Sequence, residues 1–323
     1  MPRLRRADRH APGITRRRSG TGFSYRDPSG AKVPAGALRD RIEALAIPPA
    51  WEDVWICPHD NGHIQATGVD AAGRRQYIYH PAWRDKSDEL KFARMLELAQ
   101  CLPSARGRVT RDLGTEGYSL ERVRAGAFRL LDVASIRPGA DSYTDQYGSY
   151  GITTLRGSHA KVRLDGVIEL KFPGKSGKAW DISVEDEQLA PLVSGLKRRG
   201  PRARLFSWQD ESGTWRALSP DVINAYVREC TGGEFTAKDL RTLAGTGAAA
   251  LSLARTGVVE GEAAQRRAIA KAMRETAEAL GNTPAVARAS YVDPRVIEHY
   301  LAGRTIDPSG RRAIETELIA LLG

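Results

Sequence analysis

The sequence predicts an α+β protein: a small β-rich N-terminal domain, then a larger, mainly α domain that carries a three-stranded β-sheet. Three observations predict it. Apolar residues alternate with polar ones between Val54 and His80, from Asp88 onward they recur at helical spacing, and alternation returns for one stretch between Gly148 and Phe172. A chain of 323 residues suits one large domain or two ordinary ones, and 41% hydrophobic with 27% charged residues marks a folded chain rather than a disordered one. Apolar runs such as Ala248–Ala254 fall far short of the ~18 residues of a membrane span, so no membrane partner is expected.

Residues 1–20 hold seven arginines against one acid, Asp8, with two prolines and no hydrophobic period. They read as a flexible basic arm available for phosphate contact. The arm lacks the apolar core of a secretory signal, and Pro2 and Pro12 disfavour an amphipathic transit helix. Cys57, Cys101 and Cys230 lie too far apart for a disulfide framework or a CxxC metal site. The expected compartment is therefore a reducing cytoplasm.

Residues 21–88 form the expected β-rich domain. Phe23-Ser24-Tyr25 alternates, and Asp27-Pro28-Ser29-Gly30 is turn chemistry. Ala37–Ala46 places Leu38, Ile42, Leu45 and Ile47 on one helical face, with Pro48-Pro49 as its stop. Val54–Cys57, His63–Thr67 and Gln76–His80, separated by turn clusters, predict an antiparallel meander.

Residues 89–323 form the expected helical domain. Leu90–Leu102 is periodic and is expected to end at Pro103. Segments Gly148–His159, Ala160–Leu164 and Val167–Phe172 are the expected three strands, with Asp165-Gly166 a strong hairpin signal. Thr236-Ala237-Lys238-Asp239 resembles a capping box ahead of a helix over Leu240–Arg255. A helix over Glu262–Leu280 stops at Gly281, and Thr283-Pro284 and Asp293-Pro294 each pair an N-cap with proline at the first helical position.

The charge balance points to a partner. Lys+Arg 49 against Asp+Glu 39 gives a net charge of +10 and a pI near 9.7. Such a chain is drawn to polyanions, double-stranded DNA first among them. Gly174-Lys175-Ser176 mimics the end of a phosphate-binding loop, but Glu169 stands where the motif needs glycine. Gly245-Thr246-Gly247 mimics a dinucleotide fingerprint, but no strand precedes it, so it reads as close helix packing. The six histidines are scattered, without HExxH or His-Cys spacing, and the acids form no DxDxD cluster. This disfavours a metal-dependent nuclease or polymerase.

Metal-free phosphodiester chemistry needs fixed cations on the non-bridging oxygens, a nucleophile, and an acid for the leaving alkoxide. Candidates cluster at turns and helix starts: Arg137 in SIRPGADSY, Lys175 closing KFPGK, Arg241 in KDLRT, and Asn282 with Tyr291 in GNTPAVARASY. In this order, and with SYGITTLRGSH at 149–159, they resemble the DNA topoisomerase IB family, above all its compact bacterial and poxviral branch. IPPAWEDVWICP, GHIQATG and GRRQYIYH extend the resemblance toward the N-terminus, so that it runs from about Gly13 to about His299. The nine-residue step from Asn282 to Tyr291, following KDLRT, is its most specific element.

The resemblance implies a tyrosine-recombinase/topoisomerase IB-like catalytic domain and a bacterial enzyme, working at the nucleoid, that relaxes supercoiled DNA. It would nick one strand, allow rotation and reseal, without ATP, metal or other cofactor, as a monomer clamping the duplex. Tyr291 would attack phosphorus and hold the 3′ end as a phosphotyrosine. Arg137 and Arg241 would grip the non-bridging oxygens, for which a planar, permanently charged fork is suited. Lys175 would protonate the leaving 5′-oxygen, with Lys178 its nearest competitor. Asn282 stands where the poxviral branch has histidine and would donate a hydrogen bond only. Arg74, Arg75, Gln76, Tyr77 and Tyr79 resemble the family's DNA-reading strand, and Tyr143 another DNA contact. Ala140 replaces the poxviral base-reading lysine, which argues against strict site specificity. Two other readings are a tyrosine site-specific recombinase, which would carry an all-helical N-terminal domain and an HxxR box, and a non-catalytic architectural DNA-binding protein.

Overall fold

A computed structural model describes residues 3–323, apart from the side chains of Ser142, Tyr143 and Ser176. The chain divides into two compact units, meeting in sequence between Lys91 and Phe92.

The first unit is a five-stranded antiparallel sheet with one short helix and the start of a second. Strands β1 (Ile14–Ser19) and β2 (Gly22–Arg26), helix α1 (Ala37–Ala44), then β3 (Glu52–Ile56), β4 (Ile64–Val69) and β5 (Arg75–Tyr79) follow in chain order. The sheet order is β2-β1-β3-β4-β5. Its core gathers Ile14, Tyr25, Ile42, Val54, Ile56 and Ala66. The expected three-strand meander is therefore the second half of a larger sheet. The other half includes part of the stretch expected as a flexible arm. Ile14 is buried in β1, and Arg16 lies over the Phe23 ring at 4.1 Å. The Arg16 guanidinium donates to the carbonyls of Ile47 (3.0 Å), Pro48 (3.0 Å) and Trp51 (2.6 Å). An arginine whose donors are met by carbonyls can occupy a core-side strand position, which hides the alternation from a reading based on polarity. Nearer the N-terminus, Arg5 N donates to Asn61 O and Ala7 N to His63 Nδ1, both at 2.9 Å.

In the second unit, helices surround two small sheets. Helix α2 (Pro81–Leu113) begins in the first unit and continues into the second. It is followed by α3 (Leu120–Ala134), α4 (Asp141–Tyr147), β6 (Ala160–Val162), β7 (Val167–Pro173), β8 (Ala179–Glu185), α5 (Leu189–Lys197), β9 (Ser207–Gln209) and β10 (Trp215–Ala217). The remaining elements are α6 (Pro220–Thr231), α7 (Ala237–Thr256), α8 (Glu262–Ala279), α9 (Pro284–Ser290), α10 (Pro294–Leu301) and α11 (Ile314–Leu322). No helix among the described residues is long and apolar enough to cross a membrane.

Pro103 lies inside α2 and does not end it. The buried stripe Leu98, Leu102, Ala105, Val109 and Leu113 passes unbroken on either side of it. Burial of each large side chain in such a stripe contributes about 1.5–3 kcal/mol. Summed, that exceeds the ~3 kcal/mol that an interior proline costs a helix.

The inserted sheet has three strands, in the order β6-β7-β8, but one was expected in the wrong place. Gly148–His159 is not a strand. It holds two short 3₁₀ turns, Ile152–Thr154 and Gly157–His159. Two of its glycines serve close backbone approach: a Cβ on Gly151 would lie 2.5 Å from Gly139 N, and one on Gly157 would lie 2.5 Å from Gly200 O. The third strand is β8, whose Trp180 and Val184 turn inward.

Candidate active site

A cleft of about 420 Å³ in the second unit is lined by residues from six separate stretches of chain, one of them Asn224 of α6. Arg137, Pro138, Gly139 and Ala140 come from the loop after α3, and Ser149 and Tyr150 from the segment before the 3₁₀ turns. Lys175 comes from the β7–β8 hairpin tip, Thr236, Lys238 and Arg241 from the start of α7, and Tyr291 from the end of α9.

Local structure fixes each group. Helix α3 ends at Ser135 in the left-handed conformation (φ 50°), Ile136 is buried, and the chain turns sharply into the Arg137 loop. That loop is clipped to the 3₁₀ turn beyond it, because Ile152 N donates to Arg137 O (2.9 Å) and Thr153 N to Pro138 O (2.8 Å). The SYGITT stretch thus buttresses Arg137. Helix α7 starts at the expected capping box, where the Asp239 carboxylate accepts from Thr236 N at 2.8 Å and Thr236 Oγ1 at 2.7 Å. Asn224 Oδ1 adds a bond from Ala237 N at 3.1 Å. Lys238 and Arg241, three apart, therefore share one helix face. Thr283 caps α9 through Val286 N, Pro284 occupies its first turn, and Tyr291 closes it with its N–H on Ala287 O at 3.0 Å.

Gly245-Thr246-Gly247 is the packing motif its sequence suggested. A Cβ on Gly245 would stand 2.9 Å from both Tyr291 Cβ and Tyr291 O, and one on Gly247 2.9 Å from Ile314 Cγ1. Between them, Thr246 Oγ1 donates to Tyr291 O (3.1 Å) and accepts from Asp293 N (3.2 Å), tying the backbone of Tyr291 to α7.

Arg241 and Arg137 are held by carbonyl oxygens rather than carboxylates. Arg241, 2% exposed, donates through Nη1 to Ser135 O and through Nη2 to Leu280 O at 2.8 Å, while its Nε is buried without a partner. Arg137 donates through Nη2 to Asn282 Oδ1 and through Nη1 to Gly281 O at 3.4 Å. Asn282 Nδ2 is likewise buried without a partner. Burial, and next the charge of Arg137, lower the Arg241 pKa to about 10. Burial also lowers that of Arg137. Positive charge packed this closely, with donors left over, suits an oxyanion.

Tyr291 lies under that charge, with the Arg241 guanidinium carbon 5.2 Å from its ring centre. Burial pushes the phenol pKa up, but Arg241, then Arg137 and Lys238, oppose it, and the net direction is down from the ordinary value near 10. A phenol more acidic than usual, next to an anion-binding cluster, is equipped as a nucleophile.

Of the catalytic candidates, Tyr291, Arg137, Arg241 and Lys175 line the cleft, and Asn282 reaches it through its bond to Arg137. Lys178, the competing acid, has Nζ at 3.4 Å from Ala277 O and 3.5 Å from Asn282 O. Sequence reasoning assigned no role to Lys238, although its spacing from Arg241 was the available signal, or to Trp180.

In the first unit, β5 exposes Arg75, Tyr77 and Tyr79 on one face, with the two tyrosine rings stacked 5.9 Å apart. Gln76 faces the other way and donates to Asp70 Oδ2 at 2.9 Å, as does Arg74 Nε at 2.9 Å. These two candidates thus share an intramolecular carboxylate, whose pKa Arg74 and further bonds lower to about 2. The side chain of Tyr143 lies outside the described residues.

Comparison with known proteins finds two matching family models and several relatives. Residues 80–302 match the family described as eukaryotic DNA topoisomerase I, catalytic core, and residues 22–70 match the bacterial DNA topoisomerase IB N-terminal domain. DNA topoisomerase 1B of Acanthamoeba polyphaga mimivirus is 32% identical over 297 residues, spanning 89% of this chain and 87% of the relative. DNA topoisomerase I of monkeypox virus is 24% identical over 240 residues, 72% of this chain and 70% of the relative. DNA topoisomerase 1 of Mycosarcoma maydis is 25% identical over 189 residues, 53% of this chain and 18% of the relative.

Proposed function

The chain belongs to the DNA topoisomerase IB family and is a type IB topoisomerase acting on DNA; from that premise we propose that it relaxes supercoiled DNA through a 3′-phosphotyrosyl intermediate formed on Tyr291. The reading rests on one observation: Tyr291, Arg137, Arg241 and Lys175 line a single cleft, with buried, unpartnered donors on Arg241 and Asn282 beside it.

In this mechanism the scissile phosphate displaces no strong ion pair, because Arg137 and Arg241 are held by carbonyls and an amide oxygen. Their free valences meet the non-bridging oxygens, and Asn282 Nδ2 supplies one more donor. The Tyr291 oxygen attacks phosphorus and its proton leaves to solvent. The bond from phosphorus to the 5′-oxygen breaks, and Lys175 gives that oxygen its proton, so the departing strand ends in a 5′-hydroxyl. The free strand rotates. The reverse transfer, with Lys175 now accepting the proton, reseals the backbone and frees Tyr291. The phosphotyrosine keeps the energy of the broken diester, so neither a nucleotide nor a metal ion is called for.

The test is incubation of the protein with supercoiled plasmid in EDTA without ATP. A ladder of relaxed topoisomers supports the proposal. Relaxation that starts only on adding magnesium or ATP refutes this mechanism, and action restricted to one inserted sequence points to the recombinase reading.

A further inference from the structure

Lys175 lies at the tip of the β7–β8 hairpin, and the hairpin's own strand pairing does not explain how such a tip is held in register with a phosphate clamp on other elements. The structure supplies a tie. Trp180, the second residue of β8, is buried at 9% exposure and stacks on Phe172 with ring centres 5.9 Å apart at an interplanar angle of 10°. Its indole fills the space above two glycines on different elements. A Cβ on Gly174, at the hairpin tip, would fall 2.4 Å from Trp180 Nε1. A Cβ on Gly281, in the turn between α8 and α9, would fall 2.4 Å from Trp180 Cζ2. Gly281 also adopts φ +58°, so glycine there answers both the conformation and the contact.

That turn is where the clamp is assembled. Leu280 O receives Arg241, Gly281 O receives Arg137, and Asn282 Oδ1 receives Arg137 as well. The hairpin reaches the same turn through Lys178, whose Nζ lies 3.4 Å from Ala277 O and 3.5 Å from Asn282 O. The tip itself is closed by Gly174 N on Lys178 O at 2.8 Å, and its base meets the cleft wall through Tyr150 N on Pro173 O at 2.8 Å.

We propose that Trp180, assisted by Lys178, is a positioning residue that wedges the Lys175 hairpin tip against the 280–282 turn and so sets the distance between general acid and phosphate clamp. The inference rests on the assignment of Lys175 as the acid. The glycine pair is its sequence counterpart: Gly174 and Gly281 are small because one indole occupies both positions.

A residue that acts only through the acid has a distinctive signature. If the bridging 5′-oxygen of the substrate is replaced by sulfur, the leaving thiolate needs no proton, and a misplaced acid no longer matters. Trp180→Phe keeps the stack on Phe172 but withdraws the ring portion lying over Gly281. Misplacement of a catalytic group by an ångström costs on the order of 100-fold. Single-turnover cleavage of ordinary DNA by Trp180→Phe is therefore expected to be about 10- to 100-fold slow, and cleavage of the sulfur substrate to return to within about threefold of wild type. Lys178→Met, at an exposed position, is expected to show the same pattern more weakly and does not threaten the core. Wild-type rates on ordinary DNA for both variants overturn the proposal. So does an equal deficit on both substrates, which would make Trp180 a support of the clamp or of the fold. Lys175→Ala run in parallel separates the layers. If sulfur rescues Lys175→Ala but not Trp180→Phe, the wedge alone fails; if sulfur does not rescue Lys175→Ala, the acid assignment fails and takes the wedge with it.

Discussion

Arg241 offers a case in which stability and activity are expected to part. Its side chain is 2% exposed, and its pKa falls from the ordinary 12.5 to about 10, burial first and Arg137 second. Such a fall corresponds to about 3 kcal/mol by which the folded state disfavours the charged form. The sign follows from linkage: a cation with a depressed folded pKa destabilises the fold at neutral pH, and that penalty is relieved only as pH rises through the folded pKa near 10. Arg241→Met removes the charge while keeping an unbranched chain in the site. It leaves Ser135 O and Leu280 O without their donor, at about 1–3 kcal/mol each. The two effects nearly balance, and the melting temperature is expected to stay within about 5 °C of wild type. Catalysis has no such compensation. Losing one pre-placed donor to a transition-state oxyanion costs about 10²–10³-fold, or roughly 2.7–4 kcal/mol of barrier. Single-turnover cleavage of a DNA whose departing strand diffuses away, alongside a thermal melt, reads both quantities. A variant that cleaves near the wild-type rate would show that Arg241 does not hold the phosphate. A collapse in melting temperature would show that the buried guanidinium supports the fold and that the desolvation argument is wrong.

Other expectations concern the acid, the nucleophile's ionisation and the basic N-terminus. Lys175→Ala should slow cleavage by about 10²–10⁴-fold, roughly 3–5 kcal/mol, with DNA affinity nearly unchanged, as measured by single-turnover cleavage and filter binding. Lys238 is one of the cations that lower the Tyr291 pKa. Lys238→Gln should therefore raise it and shift the rising limb of the cleavage pH–rate profile to higher pH; a shift to lower pH or none would remove Lys238 from the site's electrostatics. Truncating residues 1–18 would remove most of β1, including buried Ile14, and so should destabilise the first unit. Arg17 and Arg18 are exposed on that strand, so Arg17→Gln and Arg18→Gln test phosphate contact instead. Each engaged arginine lost should reduce the salt slope of binding by about 0.9, and an unchanged slope would show that neither touches DNA.

The candidate site was largely legible because its parts sit at punctuation. Proline at the start of α9, the Thr236–Asp239 cap and the glycine turn at 281 are local signals, and each brackets a candidate residue. The family resemblance then joined segments that no periodicity argument could bring together. What escaped notice depended on tertiary compensation. Arg16 in β1 is polar by type and yet core-facing, because three carbonyls receive it. Pro103 broke a local rule inside α2, and the buried stripe around it prevailed. The alternation over Gly148–His159 mimicked a strand, while Gly151 and Gly157 serve backbone contacts with Gly139 and Gly200. Trp180 went unread for a similar reason: its partners, Gly174 and Gly281, have no side chains to announce a contact.

In the proposed mechanism Tyr291 carries the DNA, and locating the covalent bond tests this. The protein is mixed with DNA, quenched with denaturant, digested with nuclease and protease, and its peptides are analysed by mass spectrometry. The expected product is a nucleotide joined through its 3′-phosphate to the peptide containing Tyr291, with no adduct on Tyr291→Phe, which should still bind DNA. An adduct on any other residue, a 5′-linked nucleotide, or relaxation by Tyr291→Phe at the wild-type rate would contradict it.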